Sequence, residues 1–300
     1  MALETAPSGR QSDHDISRPA PGVEPILAGR WADIDWLAPV PADFLIPEHH
    51  YRLERSGLGP VQRVRLNHLA VCFSCELFIH FEQYLIAYLE RHGERAMSRR
   101  ARDRFVAEER AHIEAFHRLL GAIRPDLYPG RSLRFLDWGR LDDLLVAATP
   151  TVSFFLLAAL FEEITLFVPV VMEERLAQSF RLVLDVMRLH ADEERSHVKL
   201  DERVLAAERK RRPGWRIGGE VLLVLPLLYY LDHAVRGGWR RAVDRFAAEE
   251  SIGEAERQRL LARPGSRSDV LGMASFAGKL RASGLTGGAL VARVIEAQAR

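Results

Sequence analysis

Cysteine is nearly absent: the 300 residues contain two, Cys72 and Cys75. Two are too few for a disulfide framework and are usual in a reducing cytoplasm, which is the expected setting. Their C-x-x-C spacing lacks the second pair of a zinc ribbon and the βαβ surroundings of a thioredoxin-like site, so both are expected as core thiols within a helix. An excess of charge is missing too. Lys+Arg 42 against Asp+Glu 41 leaves +1, with the basic residues scattered, which argues against nucleic acid and leaves a small molecule as the expected partner. The start shows no basic segment followed by an apolar run, so no secretory signal is expected. Residues 152–172 are almost wholly apolar over a span-like length, yet Glu162 and Glu163 stand at the centre. Two carboxylates facing lipid are expensive, so this stretch is expected as a buried helix of a soluble protein, with no membrane partner.

What is there is helical period. Hydrophobic residues make up 48% of the chain, enough for a large core. Residues 1–55 are rich in Pro, Gly, Ser and Asp and read as an irregular arm, anchored by Trp31, Trp36 and Leu37. Residues 56–300 are expected as one domain. Apolar spacing predicts a first helix over 61–92 and a second over 96–123, ended by Pro125 and Pro129-Gly130. After a connection at 127–141 and a short helical piece, Pro150 opens a third helix reaching about 178, kinked at Pro169. A fourth covers 180–211 and stops before Pro213. Further helices are expected at 214–236 and 240–262, with a weaker one near the C-terminus, and no strand.

The informative feature is a repeated pentapeptide, Glu108-Glu109-Arg110-Ala111-His112 and Glu193-Glu194-Arg195-Ser196-His197, each on the second helix of a pair. Residues three apart on a helix sit roughly 60° apart, so Glu109 with His112, and Glu194 with His197, can project to one point. Each motif follows a helix with glutamate in an apolar setting: Glu76 in CFSCELFIHF, and Glu162-Glu163 in LLAALFEEITLFV. Glu76 precedes Glu109 by 33 residues, and Glu163 precedes Glu194 by 31. A carboxylate-bridged di-iron bundle requires this pattern, with a Glu from each of two helices and a Glu-x-x-His from each of two others. Carboxylates with imidazoles suit two iron ions, with manganese as an alternative, held about 3.5–4 Å apart. One such motif alone would be an exposed helix face; two in register with buried glutamates are not. His190 falls on the same face as Glu194 and His197, one turn above.

Over residues 60–235 the sequence resembles the AurF-like di-iron arylamine N-oxygenases, typified by p-aminobenzoate N-oxygenase, whose extra histidine lies in His-x-x-x-Glu-x-x-His. Here that motif is His190 to His197. The resemblance implies an all-α, ferritin-like four-helix bundle with additional C-terminal helices and an N-terminal coil arm. It implies Glu76 and His112 on one iron, Glu163, His190 and His197 on the other, and Glu109 and Glu194 bridging. The preference for Glu163 over Glu162 follows from its 27-residue separation from His190, which matches the family's. Glu108 and Glu193 either accept the far N–H of a ligand histidine or are solvated. His80, Glu82, Glu114 and His117 read as core-edge packing, and Tyr229, Tyr230 and His233 as helical core.

The implied activity is O2-dependent oxygenation of an amine to hydroxylamine, nitroso or nitro products in small-molecule or natural-product metabolism. Electrons would come from an external donor, since no flavin or nicotinamide fingerprint appears, and a homodimer is implied. C-hydroxylation or another oxidation on the same scaffold is the alternative. Iron storage fits less well, given the arm, the extra helices and the third histidine. A radical-generating reductase subunit would place tyrosine where Phe116 stands. A purely structural bundle is the remaining alternative.

Overall fold

In a computed structural model, residues 29–262 and 266–298 are described. Residues 1–28, part of the expected arm, lie outside the described residues. Helix α1, Pro60–His92, starts with proline at its first position, where the missing N–H costs nothing, and the Gln62 side chain accepts from the Gly59 N–H. Its antiparallel neighbour α2, Arg99–Ile123, is capped by Ser98 Oγ accepting from the Ala101 N–H. A short α3, Arg140–Ala148, leads into α4, Thr151–Thr165, and α5, Phe167–Glu173, and then into α6, Arg181–Arg211. Helices α1 and α2 form one pair and α4 and α6 the other, giving the four-helix frame. Beyond it come α7, Gly214–Leu222, α8, Val224–Glu250, α9, Glu254–Leu261, α10, Arg267–Ala282, and α11, Gly288–Gln298. No strand occurs among the described residues.

Three breaks differ from expectation: the helix expected over 240–262 is interrupted at 251–253, and proline explains the other two. The third helix divides at Leu166 rather than bending at Pro169, and the helix expected at 214–236 divides at Leu223 rather than ending at Gly237-Gly238. A proline cannot donate to the carbonyl four residues back and its ring crowds it. Pro169 acts in this way on Thr165, and Pro226 on Leu222, so each interruption falls one turn upstream. Helix α8 runs on through Gly238 because that glycine meets another segment closely: a Cβ there would sit 2.8 Å from Phe73 and 3.0 Å from the Phe135 carbonyl oxygen. The C-terminal region also holds two helices where one was expected.

Buried side chains form two apolar clusters. One joins the first half of α1, the second half of α2 and the first half of α6 to α8, α9 and residues 31–58. The other joins the second half of α1 to α4, the end of α6, α7, α10 and α11. The apolar stretch 151–173 is therefore covered by protein, 78% of its most apolar window being buried.

Residues 29–59 are irregular, with short turns of 3-10 helix, yet they belong to the core. Asn67 on α1 is fully buried; its Oδ1 accepts from the Leu45 N–H at 2.8 Å and its Nδ2 donates to the Ile46 carbonyl. Leu45 and Leu53 are completely enclosed, each burial contributing roughly 1.5–3 kcal/mol. Trp31 is buried as expected of an anchor, but Leu37 is 93% exposed and anchors nothing. Cys72 and Cys75 are free, buried thiols on α1.

Candidate metal centre

Between the two apolar clusters lies a belt of ionisable groups. Helix α2 contributes Glu109 and His112, and α6 contributes His190, Glu194 and His197. Helix α1 contributes Glu82, and Glu162 of α4 faces the same group, where its charge acts on Glu194, His197, Glu109 and Asp201. All are buried. One potential ion site gathers Glu82, His112, His190 and Glu194, and a second gathers Glu109, Glu194 and His197, with ligand atoms within 4.8 Å of one another in each.

Glu109 and Glu194 each serve both sides. Glu194 Oε1 lies 2.9 Å from His190 Nε2 and 3.2 Å from His112 Nδ1, while its Oε2 lies 3.2 Å from His197 Nδ1. Glu109 Oε2 is 3.5 Å from His112 Nδ1, and its Oε1 is 3.0 Å from His197 Nδ1. Two carboxylates that each offer one oxygen to each side have the geometry of bridges. His190 stands beside His112, their ring centroids 4.4 Å apart, two turns along α6 from His197.

The donor set fits cations. Both oxygens of Glu82, Glu109 and Glu162, and Nδ1 of His112, are buried without a hydrogen-bond partner. Carboxylates massed in a dry site are costly unless protonated or bound to metal. Without metal, burial pushes Glu82 up to about 7 and holds Glu162 and Asp201 well above the usual carboxylate range. Burial acts upward on Glu194 as well, but His197, His190 and His112 outweigh it and bring it well below that range. For His112 and His197 burial favours the neutral ring, yet the surrounding glutamates hold both well above their ordinary value. Oxygen-rich sites with a few imidazoles suit iron or manganese.

A second layer orients the imidazoles. His112 Nε2 donates to Glu193 Oε2 at 2.8 Å, and His197 Nε2 donates to Glu108 Oε2 at 2.9 Å. Each motif's first glutamate thus serves the other motif's histidine, leaving Nδ1 of both rings free to face the centre. Glu108 and Glu193 therefore accept the far N–H of a histidine rather than being solvated. Trp31 adds a further link, donating from its indole to Glu193 Oε2 at 3.2 Å with its ring 5.7 Å from His112. Phe105 stacks on His197 at 4.0 Å, and Phe78 and Phe116 meet His190 edge-on.

Of the seven expected metal residues, the structure brings together Glu109, His112, His190, Glu194 and His197. Glu76 lies elsewhere. Its carboxylate accepts from the Arg134, Phe135 and Leu136 N–H groups and from Tyr128 Oη at 2.6 Å, fastening the 127–141 connection to α1. Glu82, expected as core-edge packing, occupies the belt instead. Glu163 is also corrected: Ser275 and Lys279 of α10 hold it at 2.5 and 2.7 Å, and its neighbour Glu162 turns inward.

The observed helix ends account for the position of Glu82. It stands ten residues before the end of α1 and Glu109 ten after the start of α2, so the hairpin sets them level. Glu76 lies six residues further, about 9 Å along the axis. Among the other expected residues, Tyr229 is 74% exposed and His233 is exposed, while Tyr230 donates to Asp142.

Compared with known families, the chain matches the one described as P-aminobenzoate N-oxygenase AurF over residues 26–277. No curated protein and no solved structure matches it.

Proposed function

The chain belongs to the AurF family, whose members are ferritin-like di-iron oxygenases, and we propose on that footing that it oxygenates the nitrogen of an aromatic amine. Two iron ions would be held by Glu82, Glu109, His112, Glu162, His190, Glu194 and His197. The observation that carries this reading is the placement of Glu109 and Glu194, each with one oxygen toward each imidazole group. Bound there, the iron pair supplies O2 activation and transfer of an oxygen atom to the amine nitrogen.

The protein's own residues prepare that site. Glu193 and Glu108 fix the Nε2–H tautomer of His112 and His197, so that both rings present the Nδ1 lone pair inward. Phe78, Phe105 and Phe116 wall the imidazoles and exclude water. Oxygenation of an amine to a hydroxylamine consumes one O2, two electrons and two protons, the second oxygen leaving as water. The electrons would come from an external donor. A cytoplasmic setting agrees with the two free, buried thiols. A homodimer agrees with the outward apolar side chains of Trp215, Leu222, Leu223 and Tyr229, which a second copy would cover.

Anaerobic loading with ferrous iron, followed by O2, a reductant and 4-aminobenzoate or a related arylamine, tests the reading. Mass spectrometry should find hydroxylamine, nitroso or nitro products. Oxidised products with the amine nitrogen untouched would defeat the N-oxygenase assignment, and iron well below one per chain would defeat the metal centre itself.

A further inference from the structure

A cavity of about 670 Å³ opens between α4, α6, α10 and the turn that follows α10. It is separate from the metal belt, as the helical stripes show. On α6 the belt takes Glu194, His197 and Asp201, whereas the cavity takes Val198, Glu202 and Leu205. On α4 Glu162 faces the belt and Glu163 the cavity. Glu163, Val198 and Glu202 are thus sequence neighbours of the belt residues Glu162, His197 and Asp201, each turned about 100° away. None of the belt residues lines the cavity.

The lining has two ends. Leu156, Leu205, Phe276, Leu280 and Leu285 form a buried apolar wall. At one end Lys279 is neutralised by Glu163 at 2.7 Å and Glu202 at 3.6 Å. At the other, Arg209 and Lys210 bring two positive charges, and neither is paired with a carboxylate among the described residues. Arg209, itself exposed, donates to the carbonyl oxygen of Ser283, another lining residue. An apolar chamber of this volume is in the range that binds small molecules, and unpaired cations at one end select an anionic group there.

We propose that this cavity is a second ligand site, distinct from the metal centre, for an organic carboxylate with an extended apolar body, of the medium-chain fatty-acid class. The apolar body lies along Leu156, Leu205, Phe276 and Leu280, and the carboxylate meets Arg209 and Lys210. The site goes beyond the oxygenase reading and does not depend on it.

The test titrates the full-length, iron-loaded protein with dansyl-labelled undecanoate, with iron counted on the same sample, and repeats the titration on protein as purified. Saturable binding of one probe per chain, equal in both samples, is expected. An Arg209→Ala/Lys210→Ala double variant should bind the carboxylate at least about fivefold more weakly while binding its methyl ester unchanged. Ala206→Trp, at an exposed position on the wall, should fill the cavity and abolish binding without loss of helical signal. Absence of saturable binding, unchanged binding in both variants, or displacement of the probe by aniline would overturn the proposal. Iron content that fails while probe binding persists would count against the metal centre alone.

Discussion

His112 on α2 donates its Nε2 proton to Glu193 on α6, 2.8 Å away, although the two residues belong to different copies of the repeated motif. The reciprocal bond joins His197 to Glu108 at 2.9 Å. The two halves of the bundle are thereby cross-linked through the outer nitrogens of imidazoles whose inner nitrogens face the metal belt.

Replacing either orienting glutamate should loosen metal without removing a ligand. Glu193→Gln and Glu108→Gln are each expected to weaken iron affinity by about 10–100-fold. Competition with a chelator of known strength measures this. Affinity equal to the parent in both variants would deny the orienting role.

Adjacent glutamates on α4 should behave oppositely. Glu162→Ala is expected to cut bound iron substantially below that of the parent, whereas Glu163→Ala should keep near-parental iron because its partners are Ser275 and Lys279. Elemental analysis after anaerobic loading decides between them. The reverse pattern would restore Glu163 as the inward residue.

Glu76 should matter for stability. Its carboxylate accepts three backbone N–H groups and the Tyr128 hydroxyl, so Glu76→Ala leaves buried donors unmet and should cost roughly 3 kcal/mol or more. Urea unfolding should show the loss, while the iron bound per folded chain stays near the parent value. An unchanged unfolding midpoint would be incompatible with this role.

Gly272 sets the distance between α10 and α4, since a Cβ there would overlap Ile164 Cα. Gly272→Val should therefore push α10 outward and destabilise the protein by about 1–3 kcal/mol. Thermal unfolding compared with Gly278→Val, where a Cβ meets open space, supplies the control. Equal effects at both positions would show that the close contact is not what matters.

His50 makes stability pH-dependent. It is buried, and desolvation lowers it from about 6.5 to about 3. Between those values the unfolded chain takes up a proton that the folded one refuses, so stability is fully present above about 6.5 and declines as pH falls, by up to about 1.4 kcal/mol per unit. His117, lowered to about 4, acts in the same direction. Denaturant midpoints of metal-free protein at pH 7 and pH 5 should differ less in His50→Leu than in the parent. An identical pH slope in the two would remove His50 from the account.

Much of this protein was decided along the chain. The 3.6-residue period fixed the helices of the bundle, and the three-residue offset within Glu109/His112 and Glu194/His197 put each pair on one face before any tertiary contact formed. Proline chemistry also set two of the helix breaks, though their positions lie one turn before the prolines themselves. Helical phase alone could not choose between Glu162 and Glu163, which sit in one apolar run about 100° apart. That choice was made by α10, distant in sequence, whose Gly272 approaches Ile164 and whose Lys279 takes Glu163. Nor did local sequence distinguish Glu76 from Glu82, since both are buried carboxylates flanked by apolar residues. The turn between α1 and α2 brought Glu82 level with Glu109, and the 127–141 connection supplied three backbone N–H groups to Glu76. Local periodicity says which side of a helix a residue occupies; only the packing of other segments determines what that side meets.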